Sequence, residues 1–229
     1  MTTFVLIHGA YQGGWIWKPV AERLHADGHL VLAPSLDGCA ERKGQVRAGI
    51  TTETHAAEIA ELLFYQDLKD VVLAGTSTGG MVMARAAELA RERVARVVFA
   101  DALALLDGEA LPDIVKRPTA VNTELTSGPS RQDFETRLFA DLEPVMRRWA
   151  LERCTMHPIA AMQAPVRLER FWNEAWNASV IWCKRSTNPP QAHQRRTADR
   201  LKGRWHELDT GHYPMLTEPE ALARLIAEG

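Results

Sequence analysis

Val71-Val72-Leu73-Ala74-Gly75-Thr76-Ser77-Thr78-Gly79-Gly80 is the stretch whose reading decides the fold. The β-branched run Val71 to Ala74 predicts a strand, and Met81 to Arg91, rich in alanine, predicts a helix. Between them stands Gly-x-Ser-x-Gly, with no room for a loop. A strand driven straight into a helix through this pattern forms a sharp, strained turn, and small residues two places either side let strand and helix approach closely. The turn lifts the Ser77 hydroxyl above the sheet edge and sets the Thr78 N–H where a developing oxyanion would sit. A plain glycine-rich turn or phosphate cradle is the bland alternative. The strand before and the helix after weigh against it.

Outward from this turn, short apolar runs alternate with segments of helical period. Strands are expected at Thr3–Ile7, Leu30–Ala33, Val94–Ala100, Val180–Cys183 and Trp205–Leu208. Helices are expected at Trp15–Ala26, Thr52–Tyr65, 190–202 and Pro219–Ala227. Continuous apolar strands separated by helices imply a mostly parallel sheet flanked by helices, with right-handed crossovers. The alternation lapses over 107–176, where Pro112, Pro118, Pro129, Pro144, Pro158 and Pro165 punctuate helical stretches near 131–142 and 144–153. No strand-like run is visible there. The chain 1–229 therefore reads as a single α/β domain carrying a helical cap inserted at about 107–176.

Two further segments fall at the same sheet edge. The first strand runs into His8-Gly9-Ala10-Tyr11-Gln12-Gly13-Gly14-Trp15, a glycine-dense loop whose amides, Ala10 first, can supply a second oxyanion donor. After the last strand comes Gly211-His212-Tyr213-Pro214. An imidazole there can take the Ser77 proton and return it to a leaving group. His206 and His212 lie six apart with no further His, Cys or acid at ligand spacing, so no metal and no cofactor are expected.

Composition narrows the class. The chain has 229 residues, with 27 basic and 29 acidic groups for a net charge of −2. That balance argues against nucleic acid or an anionic membrane as partner, and the cluster Arg195, Arg196, Arg200, Lys202, Arg204 reads as a solvated helix face. No stretch approaches the ~20 apolar residues needed to span a bilayer. Cys39, Cys154 and Cys183 are scattered and odd in number, which speaks for a reducing compartment. The apolar run at the start lacks a basic leader, so a cytoplasmic location is expected.

Taken together, the HGAYQGGW loop, the GTSTGG turn and the GHYPMLTEP segment resemble, in order and spacing, the α/β-hydrolase superfamily. The resemblance is to its compact branch of plant methylesterases, hydroxynitrile lyases and bacterial carboxylesterases. It covers essentially the whole chain and implies the α/β-hydrolase fold with a triad of Ser77, an acid and His212. It also implies an oxyanion hole made by the amides of Ala10 and Thr78. The acid does not carry over. This branch usually has an Asp after the strand that follows the cap, but here that strand leads into Lys184-Arg185-Ser186-Thr187-Asn188-Pro189-Pro190. Asp101, ending the strand Val97 to Asp101, is the best substitute, and some superfamily members place their acid there. Asp209 is weaker, being too close to His212 in sequence.

The implied reaction is hydrolysis of a small, mostly apolar carboxylic ester or lactone through an acyl-enzyme, with Trp149, Phe171, Trp172 and Trp176 as candidate pocket lining. A hydroxynitrile-lyase-like activity fits less well, because Tyr213 and Ala10 stand where such lyases generally carry Lys and Thr. A non-catalytic small-molecule receptor is motivated only by the missing acid. A small-molecule ester or lactone is the expected partner, and a homodimer is left open.

Overall fold

The computed structural model describes residues 1–115 and 120–228; Pro118 of the expected cap lies outside the described residues. Strands β1 (Thr3–Ile7), β2 (Leu30–Leu32), β3 (Val71–Ser77) and β4 (Val94–Ala102) come first. An excursion then holds three short strands, β5 (Val121–Asn122), β6 (Thr126–Gly128) and β7 (His157–Pro158). Strands β8 (Asn177–Cys183) and β9 (Arg204–Leu208) complete the main sheet, whose order is β2-β1-β3-β4-β8-β9 with every pairing parallel.

The sheet has apolar layers on both faces because its side chains alternate. Val5, Ile7, Val71 and Leu73 point to the layer that holds Ala56, Ile59 and Leu63 of helix α1 (Thr52–Tyr65) and most of helix α2 (Gly79–Leu89). Phe4, Leu6, Val72 and Ala74 point the other way, onto Val20 and Leu24 of the helix Lys18–Ala26 and Leu222 and Ile226 of the terminal helix Pro219–Ala227. Strands β1 and β3, buried on both faces in this way, read for that reason as near-continuous apolar runs.

Differences from the sequence reading are local. The first helix begins three residues late, because Gly14–Trp17 forms a 3₁₀ turn and Pro19 sits in the first turn of Lys18–Ala26. Strand β3 runs three residues further, into Ser77 itself. The excursion is not helical throughout: β5, β6 and β7 pair antiparallel in a small sheet beside short helices such as Pro144–Leu151. Strands of two or three residues show no alternation a reader could find, and Pro158 argues against one. The basic cluster is not one solvated face: Arg196 pairs with Glu109, while Arg195 lies over the Trp205 ring. Among the described residues no helix is long and apolar enough to cross a membrane.

Candidate active site

Strand β3 delivers Ser77 at φ +51°, the left-handed region a serine seldom adopts. The surroundings enforce this. A Cβ on Gly75 would meet the Gly79 carbonyl oxygen at 2.7 Å, and one on Gly79 would meet the Ile7 carbonyl oxygen at 2.5 Å. A Cβ on Gly9 would stand 2.6 Å from the Ser77 Cβ. Contacts this close are available only to glycine, so β1, β3 and α2 converge on the serine and hold its turn tight.

The adjacent strand uses a different device. Thr76 pairs with Ala100 but Ser77 pairs with Ala102, so Asp101 is an extra residue in β4. Asp101 has φ +46° and is fully buried. A bulge of this kind re-aims one side chain without ending the strand, and Asp tolerates the left-handed region better than most residues. The re-aimed carboxylate accepts from His212 Nδ1 through Oδ2 at 2.5 Å. Its Oδ1 accepts from Gln194 Nε2 at 2.7 Å and faces the Cys183 N–H at 3.4 Å.

Ser77 and His212 both line one cavity of about 360 Å³. Ala10 and Thr78 line it too, and among the described residues no other protein group accepts their N–H. Tyr11, Leu103, Leu111, Val115 and Leu138 form its apolar wall, and Arg137, Asp141 and Arg185 its charged part. The segment Ser186–Pro189 also borders it, with the Ser186 hydroxyl donating to the Asn188 carbonyl at 3.1 Å rather than to the imidazole. Asp209 is three-quarters exposed and pairs with Arg185.

The four aromatic residues named as candidate lining, for which packing is the commoner role, do not border the cavity. Trp149 packs edge-on against Trp15. Phe171 stacks on Trp176, and the Trp172 indole donates to the Leu105 carbonyl at 3.0 Å. Large aromatic surfaces are drawn to the core where an indole N–H finds a backbone acceptor, as those of Trp172 and Trp176 do. The sequence reading also missed Gln12 and Gln194. Gln12 accepts the Gly9 N–H at 3.1 Å and lines the cavity; Gln194 holds Asp101. A lone glutamine in a polar stretch carries no periodic signal. Among the described residues no group of three or more His, Cys, Asp or Glu side chains is placed to hold a metal ion.

Two neutral histidines pin the loops beside the cavity. His8 Nδ1 donates to the Gly9 carbonyl at 2.8 Å while Nε2 accepts from the Leu36 N–H at 3.0 Å. His193 Nε2 accepts from the Ala104 N–H at 3.0 Å. Protonating either Nε2 would turn its new N–H against a backbone N–H, and burial holds both groups down at about 4. The unfolded chain, near 6.5, takes up these protons first as pH falls. Their contribution to stability is thus complete above about pH 6.5 and lost progressively toward pH 4. The melting temperature is expected to stay level from pH 8 to 7 and to drop steadily below 6.5. A flat profile down to pH 5 would contradict this.

Residues 4–225 match the model of the alpha/beta hydrolase family. A carbendazim hydrolyzing esterase from Nocardioides sp. (strain SG-4G) is 29% identical over 241 residues, covering 99% of this chain and 99% of that protein. Methylesterase 3 of Arabidopsis thaliana is 25% identical over 254 residues, covering 98% and 94%. Among solved structures, an extracellular alpha/beta-hydrolase from a Paenibacillus species superposes with a TM-score of 0.86 at 23% identity, covering 100% of this chain and 98% of that one.

Proposed function

Because the chain belongs to the alpha/beta hydrolase family, we propose that it is a carboxylic ester hydrolase with Ser77 as nucleophile, His212 as base and Asp101 as acid. The observation that carries this reading is the 2.5 Å contact between His212 Nδ1 and Asp101 on the wall of the cavity that Ser77 also lines. The chain order of serine, aspartate, histidine is that of the family's triad.

In this mechanism Asp101 keeps the proton of His212 on Nδ1, leaving Nε2 free to accept. Nε2 takes the Ser77 hydroxyl proton as Oγ attacks the ester carbonyl carbon. The carbonyl oxygen becomes an oxyanion that accepts from the Ala10 and Thr78 amides. His212 then gives the proton to the departing alkoxide oxygen, and the C–O bond breaks to leave the acyl group on Ser77. Water repeats the sequence: it loses a proton to His212, attacks the acyl carbon, and the proton returns to Ser77 Oγ as the acid leaves.

A cavity of about 360 Å³ with an aliphatic wall suits a small, mostly apolar ester or lactone. Relatives named methylesterases make methyl esters the first leaving group to try. The receptor alternative was motivated by an absent acid, and Asp101 supplies a carboxylate to His212. The lyase alternative gains nothing either, since Tyr213 is buried, packs on Phe139 and has its phenol pushed up by burial. A cytoplasmic location is consistent with three cysteines that form no disulfide.

The test is a series of p-nitrophenyl acyl esters of graded length together with a fluorophosphonate label. Short-chain esters should turn over best, and the label should map to Ser77. Ligand binding without turnover, and an unlabelled Ser77 at neutral pH, would reject the reading.

A further inference from the structure

The Asp101 carboxylate is fully buried, and its Oδ2 accepts from His212 and from no other side chain or amide among the described residues. Its other oxygen depends on the helix Gln191–Leu201, which follows β8 after a short turn. Gln194 in the first turns of that helix is itself fully buried. Its Nε2 lies 2.7 Å from Asp101 Oδ1 and 3.1 Å from the Pro189 carbonyl oxygen. Two acceptors fix which way the amide turns, because a flipped amide would set its oxygen against both. The fixed orientation leaves Oε1 buried with no partner among the described residues. An orphaned buried acceptor costs stability, so the side chain is held where only its donor is used.

We infer that Gln194 is a positioning residue for catalysis: its amide clamps Asp101 Oδ1 so that Oδ2 is aimed at His212 Nδ1. The inference rests on the triad proposed above. A charged clamp in the same place would weaken the acid's hold on the imidazole, since a cation beside Asp101 would compete with His212. A neutral amide steadies the carboxylate without doing so, and at 2.7 Å it is the shorter of the two donors on Oδ1, the Cys183 N–H standing at 3.4 Å. This also gives a physical role to the helix after β8 in a chain whose acid sits in β4. The helix reaches back to the carboxylate with a donor instead of lending one of its own.

The titratable and charged groups packed around the pair are Cys183 on β8, Tyr213 beside His212, and Asp141, which lies against Gly211. Burial pushes the Cys183 thiol and the Tyr213 phenol well up, so neither titrates near neutrality. Arg137 and Arg185 also line the cavity.

Gln194→Leu removes the donor at nearly constant size. The kcat for a short p-nitrophenyl ester is expected to fall about tenfold or more, with KM nearly unchanged. The acid limb of the kcat/KM profile should move to higher pH, because the unprotonated Asp101–His212 pair loses the donor that stabilised its charge. Gln194→Glu keeps the shape and donates only while protonated, so it should recover part of kcat at low pH and lose it as pH rises. The low-field Nδ1 proton resonance of His212 should shift in Gln194→Leu relative to wild type, a readout available whether or not an ester is turned over. Wild-type kcat and an unmoved acid limb in Gln194→Leu would overturn the inference. So would a lowered kcat with limb and resonance both unmoved, which is what loss of packing alone would give. If Gln194→Leu does not fold, Gln194→Glu decides, and a pH profile parallel to wild type then counts against the clamp. An inactive wild type whose His212 resonance still responds to Gln194→Leu would sink the esterase reading and leave the clamp standing.

Discussion

Ser77→Ala is expected to lower ester turnover by about five to six orders of magnitude, because it removes the atom to which the proposed mechanism transfers the acyl group. The substitution deletes one oxygen at a position whose backbone φ of +51° is dictated by Gly9, Gly75 and Gly79 rather than by the serine side chain. Alanine meets the same backbone constraint, so the melting temperature should stay close to wild type. The Ala10 and Thr78 amides remain in place, and residual catalysis above the uncatalysed rate should therefore persist. The measurement is kcat/KM for the best p-nitrophenyl ester in the series, with fluorophosphonate labelling as a control. Substantial turnover by the alanine variant would put the nucleophile elsewhere.

Asp101→Asn should cost about four orders of magnitude in kcat, through proton placement rather than lost packing. Gln194 Nε2 and the Cys183 N–H both face the Oδ1 side of residue 101. They would hold the asparagine oxygen there and turn its NH₂ toward His212. The imidazole would then have to accept at Nδ1 and carry its proton on Nε2, where it cannot take one from Ser77. Circular dichroism should be unchanged. Near-normal kcat would remove Asp101 from the mechanism.

The parts of the site that rest on backbone geometry were legible in the sequence, and those that rest on long-range pairing were less so. Ser77 could be read because the strand, the turn and the helix are consecutive, and the glycines that crowd the turn are visible as letters. Asp101 was legible only by elimination, since the bulge that aims it is a register shift between β3 and β4 that a single strand does not display. Gln194 was invisible. The helix Gln191–Leu201 buries His193, Gln194 and Thr197 on its inner face, so its apolar periodicity is diluted by polar residues that read as solvated. The small sheet of the excursion was missed because its strands, two or three residues each, are too short for alternation to repeat, and the aromatic residues of the excursion were drawn inward by core packing.

A triad whose proposed acid, Asp101, stands in β4 frees another part of this scaffold to diversify. Arg185, Ser186, Thr187, Asn188 and Pro189 border the cavity, yet none of them is a member of the proposed triad. In relatives whose aspartate follows the corresponding strand, any change of length there displaces a reacting group. Here the rim is released from that duty, apart from the Pro189 carbonyl that Gln194 holds. Residues 185–188 thus form an adjustable border along which mutational libraries can retune substrate choice while the chemistry stays anchored in the sheet.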